Sequence, residues 1–284
     1  MKKFYIISNY LKDPDLAYAQ IIKDKLDKLG AKAIVASKEE QIRPGYTNLS
    51  GIESDTECAI VLGGDGTVLR AAANLSGLHI PLVGINLGTL GFLAEIQKDQ
   101  VDEALKKLVD DQFDLEERMM LEGKLLRDGK ILDHFHALND ITISRNGHMQ
   151  MLQIALSVNQ QLLHRYQADG IIVATPTGST GYSLSAGGPI VDPKASLMVV
   201  SAICPHSMQN RSIILSPEEE VVIEAESRGE DITFAMEATF DGSYRIPLRE
   251  GDQIAISKSV KTTKLIKLYK QSFLDVLQKK MAET

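Results

Sequence analysis

The sequence predicts two halves of different class: a doubly wound α/β domain over residues 1–115 and a β-rich domain over residues 116–270. A tail helix over residues 271–284 is expected to return and pack on the first. Three observations carry this prediction. Up to about residue 110, short apolar runs alternate with amphipathic helical stretches, which is the pattern of βαβ units and a parallel sheet. Beyond Phe113, β-type runs follow one another, separated by turn pairs such as Asp128-Gly129, Asn146-Gly147 and Asp241-Gly242. The length, 284 residues, allows two cores at about 150 residues per domain.

Each element has its own signal. Phe4 to Ser8 is an apolar run and reads as the first strand. Pro14 and Asp15 then open a helix whose stripe is Leu16, Ala19, Ile22, Leu26 and Leu29, and Gly30 ends it. Ala33 to Ala36 is a short second strand, and residues 37–55, with Pro44, Gly45 and Gly51, read as an irregular loop. Ala59 to Leu62 is a buried-type strand running into Gly63-Gly64-Asp65-Gly66, and Thr67 to Leu75 is a helix with Thr67 as its N-cap. A strand over Ile80 to Ile85 and a helix over Val101 to Val109 complete a Rossmann-like half. The second half has β-type runs at Leu121–Leu126, His136–Ser144, Met151–Val158, Gly170–Ala174, Met198–Ile203, Ser212–Leu215, Val221–Ala225 and Gln253–Ser257. In the tail, Phe273, Val276 and Leu277 stand at helical spacing.

Composition excludes several classes. The chain is 44% hydrophobic and 24% charged, which is globular rather than disordered or fibrous. Its net charge of −7 disfavours polyanion partners, nucleic acid and anionic membrane surfaces alike. An anionic small molecule would need a local site of backbone amides and a few cations. Cys58 and Cys204 have no CxxC spacing and read as reduced thiols of a cytosolic protein. The N-terminus lacks the apolar core and cleavage site of a signal peptide, and no window approaches the ~18 apolar residues of a membrane span. A cytoplasmic protein is the expectation.

Four segments carry chemistry. The first is Val61-Leu62-Gly63-Gly64-Asp65-Gly66-Thr67-Val68-Leu69-Arg70. Glycines between a strand end and a helix start let backbone amides approach a phosphate at the carboxyl edge of a sheet. Asp65 would repel that phosphate unless it meets a magnesium ion or takes a proton from an attacking hydroxyl. The same residues also fit a plain glycine-rich turn. The second runs from Asp169-Gly170 through Thr175-Pro176-Thr177-Gly178-Ser179-Thr180-Gly181-Tyr182-Ser183-Leu184-Ser185 to Pro189, a loop of small donors with one aromatic. By composition alone it also fits a surface linker. No serine there has glycine at both −2 and +2, so it is not a hydrolase elbow. The third is Asn139-Asp140, an adjacent polar pair that interrupts a strand pattern and equally fits a turn or bulge. The fourth is Gly84-Ile85-Asn86-Leu87-Gly88-Thr89-Leu90-Gly91-Phe92-Leu93, a glycine-spaced connection at the same sheet edge as the first. His134 and His136 stand at i, i+2, as ligands on a strand do, but the sequence shows no third ligand beside them.

Taken together and in this order, the segments resemble the NAD kinase family, with Cys204-Pro205-His206-Ser207, Asn210-Arg211 and Asp241-Gly242 as further likenesses. The Gly-Gly-Asp-Gly-Thr element alone is shared with lipid kinases and phosphofructokinases, whereas the long second segment is much more specific. Asp140 stands where the family commonly has glutamate, Gly181 where it has alanine, Gln167 where it often has arginine and Ser212 where it often has proline.

The resemblance implies an enzyme that moves the ATP γ-phosphate to the 2′-hydroxyl of the adenosine ribose of NAD, giving NADP, with Mg2+ or another divalent cation. It implies a nucleotide-binding role for residues 1–115 and an NAD-binding role for 116–270. Asp65 is the implied catalytic base. Gly64, Gly66 and Thr67 would meet phosphates, Leu69 and Phe92 would supply apolar walls, and Arg70 a cation. Asn86, Asn139, Asp140, Gln167 and Asp169 join the nucleotide-binding set, with Asp169 reaching the nicotinamide end. Thr180, Gly181, Tyr182, Ser183 and Ser185 would line adenine and ribose, with Ser243 as a further contact. The implied partners are NAD, NADP and ATP, with no nucleic acid and no membrane, in a homodimer or homotetramer. A lipid or sugar kinase, or a non-catalytic dinucleotide sensor, are the alternatives.

Overall fold

The computed structural model of the chain describes residues 1–37, 51–89, 91–147, 151–207, 211–226 and 236–282. Most of the loop expected over 37–55, together with Leu90 and Asn210, lies outside these residues. In chain order the elements are β1 (Lys3–Ser8), α1 (Ala17–Lys28), β2 (Lys32–Val35), β3 (Cys58–Gly63), α2 (Asp65–Leu75), β4 (Leu82–Asn86), α3 (Val101–Val109), β5 (Asp114–Arg127), β6 (Lys130–Ala137), β7 (Asp140–Arg145), β8 (Leu152–Val158), β9 (Gln161–Ala168) and β10 (Gly170–Ala174). Then come α4 (Tyr182–Ser185), β11 (Met198–Ile203), β12 (Ile213–Leu215), β13 (Val221–Glu226), β14 (Met236–Phe240), β15 (Tyr244–Leu248), β16 (Gln253–Lys267) and α5 (Phe273–Ala282). The chain divides into two compact units, residues 1–117 with 263–284, and residues 118–262.

The first unit is the α/β half. Its strands run parallel in the order β2-β1-β3-β4, and Leu265 at the end of β16 pairs in parallel with Leu82. Every residue of β3 is buried, as a strand covered on both faces must be. The core joins Ile6, Ile60, Leu62 and Ile85 from the sheet to Ile22 and Leu26 of α1 and to Leu105 and Leu108 of α3. Helix α3 matches its predicted bounds. Helix α1 starts later than Pro14 and Asp15 suggest, because Leu16 sits in the left-handed region at φ 55°. The Asp13 carboxylate satisfies the helix start, accepting the N–H groups of Tyr18 (3.0 Å) and Ala19 (3.1 Å).

Helix α2 departs the other way. It begins at Asp65 with Gly64 as N-cap, so Thr67 is not the cap. The Thr67 N–H already donates to the Gly64 carbonyl (2.9 Å), and its hydroxyl oxygen accepts from the Asn9 amide (3.1 Å). The tail helix α5 belongs to the first unit, as expected. It buries Val276 and sets Phe273 against Phe92, with ring centroids 5.8 Å apart.

In the second unit the pairs β5–β6, β8–β9, β8–β13, β13–β16, β7–β10, β10–β11, β11–β12, β7–β14 and β14–β15 are antiparallel. One sheet has the order β12-β11-β10-β7-β14-β15, and β16-β13-β8-β9 form another with the β5–β6 hairpin alongside. Their inner faces share one core, with Ile141, Ile143, Ile171, Val173 and Val200 from the first sheet and Ile154, Leu156, Val221, Ile223, Ile254 and Ile256 from the second. The single run expected over His136–Ser144 is two strands, broken at Leu138-Asn139. Strands β9, β14 and β15 were not expected. Residues Gln161 to Arg165 of β9 are exposed, so that edge strand carries little apolar signal.

The fold fixes the site through one close approach. A Cβ on Gly84 would stand 2.7 Å from the Ala94 Cα, so β4 lets the segment that follows it fold back along its own face. Gly84→Ala is expected to destabilise the first unit by about 1–3 kcal/mol, the range for overpacking. Urea unfolding measures this, and an unchanged midpoint would contradict it.

Candidate active site

The candidate residues fall into two groups, one in each unit. In the first unit the organising group is Asp65, placed at the first position of α2 by the end of β3. Its Oδ2 accepts the N–H of Phe92 (2.8 Å), and its Oδ1 accepts the N–H groups of Leu93 (3.0 Å) and Ala94 (3.1 Å). A carboxylate offers about four acceptor positions, so three amides leave one open, on Oδ2. The carboxylate also lies where a side chain at position 91 would stand, which is why that position is glycine.

Asn86 follows at the end of β4. It is buried, its amide donates to the Thr89 carbonyl (2.5 Å), and its oxygen accepts the Gly88 N–H (2.7 Å). Both ends of the side chain thus help to shape their own loop, each with one hydrogen-bonding position to spare. Thr67 likewise turns its oxygen to Asn9. Gly64 and Gly66 stay open, Leu69 is buried in α2, and Arg70 is exposed. Phe92 is half-buried between Phe273 and the Lys280 ammonium, which lies 5.1 Å from its ring centre.

One cation escaped the sequence reading. The Lys12 ammonium stands 3.9 Å from the position of a Gly64 Cβ and 2.7 Å from that of a Gly88 Cβ. It therefore lies over both glycine motifs. Lys12 follows β1 in a loop with no glycine or motif of its own, so only the parallel arrangement of β1, β3 and β4 reveals it.

In the second unit the organising group is Asp241, in the turn between β14 and β15. Its Oδ2 accepts the N–H of Leu138 (2.8 Å), and its Oδ1 accepts those of Asn139 (2.7 Å) and Asp140 (3.2 Å). It thereby holds the break between β6 and β7 on which the Asn139-Asp140 pair sits. The Thr175–Thr180 segment clasps the same break from the other side. Thr175 donates its N–H to the Asn139 carbonyl (2.8 Å) and its hydroxyl to the Leu138 carbonyl (2.6 Å). Gly178 lies flat on Asn139, and a Cβ there would stand 2.7 Å from the Asn139 Cα. The Asn139 side-chain oxygen is buried without a hydrogen-bond partner. A buried acceptor left unpaired is costly in a native fold.

Gly181 completes this group. A Cβ there would meet the Asn139 Nδ2 at 3.3 Å and the Asp140 Oδ2 at 3.8 Å, so the glycine leaves extra room beside the pair. Thr180 is half-buried, and Tyr182 and Ser185 are exposed. Ser183 does not line the loop's outer side. It is buried, with its hydroxyl 3.4 Å from that of Ser201, which in turn lies 2.8 Å from that of Ser212.

Asp169 is not free either. Arg145, which the sequence did not single out, holds it through two contacts, Nε to Oδ1 at 3.1 Å and Nη2 to Oδ2 at 3.2 Å. Gln167 is exposed on β9, and its backbone carbonyl accepts the His206 N–H (2.7 Å). Ser243 closes the β14–β15 turn, its hydroxyl donating to the Phe240 carbonyl (3.4 Å). Both cysteines are free, Cys58 buried and Cys204 exposed. No helix among the described residues is long and apolar enough to cross a membrane.

Burial pushes the Asp140 carboxyl up to about 6, opposed by the Thr142 hydroxyl. Burial also pushes Asp241 up to about 7, helped by the charge of Asp140 and opposed by the three amides. A carboxyl raised in the fold holds its proton more tightly there than in the unfolded chain. It therefore supports the fold at low pH and withdraws that support as pH rises from about 4 through 6–7. The stability of Asp140→Asn relative to the parent should thus rise with pH between about 4.5 and 7, by about 1.4 kcal/mol per pKa unit relieved. Urea unfolding across that range measures the difference, and a difference that falls with pH would contradict it.

Comparison with known proteins bears on both units. The family model described as the ATP-NAD kinase N-terminal domain matches residues 18–113, and that described as the ATP-NAD kinase C-terminal domain matches residues 138–268. The NAD kinase of Lachnoclostridium phytofermentans is 41% identical, covering all of both chains, and that of Agathobacter rectalis is 43% identical over 99% of each. The fold is that of a yeast NADH kinase solved with NADH (TM-score 0.85, 23% identity, 99% of this chain and 88% of that one). It is also that of an Archaeoglobus fulgidus NAD kinase solved with ATP (TM-score 0.77, 23% identity, 99% of each). With both halves matched by the family's own domains and full-length relatives above 40% identity, the chain belongs to the NAD kinase family.

Proposed function

We propose that this enzyme transfers the γ-phosphate of ATP to the 2′-hydroxyl of the adenosine ribose of NAD, giving NADP and ADP. The observation that carries the reading is Asp65, a carboxylate oriented by three loop amides with one acceptor position left, at the start of a helix beside two glycine motifs and a lysine. In the reaction the 2′-oxygen bonds to the γ-phosphorus, the bond from that phosphorus to the bridging oxygen breaks, and the hydroxyl proton passes to Asp65.

Phosphoryl transfer asks mainly for positioning and charge neutralisation. The amides at Gly64 and Gly66, the positive end of α2 and the Lys12 ammonium supply this for phosphates. Arg70 adds a further cation, and Leu69 and Phe92 an apolar border. Mg2+ suits this donor set only through the phosphate oxygens, with Asp65 the one protein carboxylate in the glycine motif. There it would neutralise charge on the transferring group.

In the second unit, Asn139 and Asp140 would grip ribose hydroxyls. The unpaired Asn139 oxygen would accept from one of them, and Asp140 would accept or share a proton with another. Thr180, Gly181, Tyr182 and Ser185 would border the adenine, with Tyr182 stacking on it. Asp169 would meet the nicotinamide end together with Arg145. A cytoplasmic homodimer or homotetramer, with no nucleic-acid or membrane partner, completes the proposal.

Incubation with ATP, Mg2+ and NAD should yield NADP, and a well-folded protein that yields none would overturn the assignment. Asp65→Asn should lower turnover by about 10²–10⁴-fold while NAD still binds, and more than about a tenth of parental turnover would exclude the base role. Lys12→Met should raise the KM for ATP roughly tenfold, the equivalent of ~1.4 kcal/mol for one charge-assisted contact. The KM for NAD should stay unchanged, and equal effects on both would argue against a phosphate contact.

A further inference from the structure

We propose that Glu122, His134 and His136 form a site for Zn2+ on the β5–β6 hairpin, with three protein ligands and one position open. None of these residues belongs to either group of the candidate active site.

The sequence shows the two histidines at i, i+2 and lacks a third ligand. The hairpin supplies it. Residues two apart on a strand project from the same face, and Phe135 between them points the other way, packing on Phe240 (5.1 Å) and Tyr244 (4.2 Å). Glu122 on β5 stands directly opposite His136 in the register, so the three side chains share one face of the hairpin. One ligand atom from each lies within 4.8 Å of the other two, and this is the one such group of three or more among the described residues. Tetrahedral bonds of about 2.0–2.2 Å put ligand atoms roughly 3.5 Å apart. A bound ion would draw the three atoms together by side-chain rotation.

A second contact prepares the set. The Ser259 hydroxyl lies 3.1 Å from His136 Nδ1 and also accepts the Lys261 N–H (2.9 Å). This holds the imidazole in place and leaves Nε2 to ligate, the outer-shell arrangement that orients metal-binding histidines. Two imidazoles and a carboxylate suit zinc, whereas Mg2+ requires oxygen donors. The site is therefore chemically separate from the divalent ion of the proposed reaction. Its competitor is Lys124, whose ammonium lies 3.3 Å from Glu122 Oε2. A bound ion would displace it, so affinity falls below that of a closed four-ligand site. Among the described residues strand β6 pairs with β5 alone, and the ion would clip this edge hairpin across its two strands.

The test uses the full chain, stripped with EDTA and desalted, in competition with a chromophoric chelator for Zn2+. The parent should take up one equivalent. His134→Ala and His136→Ala should each weaken uptake on the order of 100-fold or more, and Ser259→Ala by about 10–100-fold. Cys204→Ser, which removes the exposed thiol, should leave it unchanged. Zinc should also slow amide exchange over residues 121–137 in the parent and not in the double histidine variant. Should a histidine variant fold poorly, Glu122→Gln serves in its place and should weaken uptake likewise. Failure of the parent to compete would overturn the proposal, as would one equivalent held at parental affinity by the double variant.

Discussion

Asp65 accepts three consecutive backbone N–H groups, and much of the first unit is arranged so that it does. The carboxylate sits at the start of α2, while the amides come from the segment after β4. The two are brought together by the parallel pairing of β3 with β4. That pairing places Gly63 beside Asn86. The return of residues 92–94 toward the sheet requires Gly84 to admit Ala94 and Gly91 to admit the carboxylate itself. Asn86 shapes the turn between them. The placing of Gly84 and Gly91 within one motif thus has one physical cause, a carboxylate bound by a loop's backbone.

The second unit uses the same device with a different outcome. Asp241 also accepts three consecutive amides, those of Leu138, Asn139 and Asp140, and so holds a break between strands in an orientation that neither strand would impose. Here a second carboxyl, Asp140, lies close by, and both are pushed up by burial. This neighbourhood suits a group that shares protons with ligand hydroxyls. Gly178 and Thr175 press the break from the opposite side, so the Asn139 side chain is pinned while its oxygen stays unpaired. Glycine at 181 adds space beside the Asn139 amide nitrogen and the Asp140 carboxylate, and its own N–H donates to the Gly178 carbonyl (2.9 Å).

Much of the fold was legible in the sequence because burial writes it there. The β3 run and the stripe of α3 are apolar for a reason any reader of periodicity recovers. What stayed hidden was relational. Strand β9 is exposed over Gln161 to Arg165, so its Leu162-Leu163 pair is not part of an apolar–polar alternation. Helix α2 starts at Asp65 because Gly64 takes the extended cap, and Thr67, which looks like the capping residue, packs inward. Among the candidate residues, motif membership marked Asp65, Asn139 and Asp140. It also marked Asn86, Ser183 and Asp169, but not the protein contacts they make, with Thr89 and Gly88, Ser201, and Arg145 respectively. Lys12 and Glu122 had no motif to announce them, and each becomes visible only when another strand is set beside it.

The account rests on Asp65 serving a loop and a substrate hydroxyl at once. The most direct measurement is a crystal structure with NAD and a non-transferring ATP analogue. The account predicts the ribose 2′-oxygen about 2.6–3.2 Å from Asp65 Oδ2, the reach of a general base, with the amides of Phe92, Leu93 and Ala94 still on the carboxylate. A 2′-hydroxyl bound elsewhere, or a carboxylate that has left all three amides to reach it, would contradict the account.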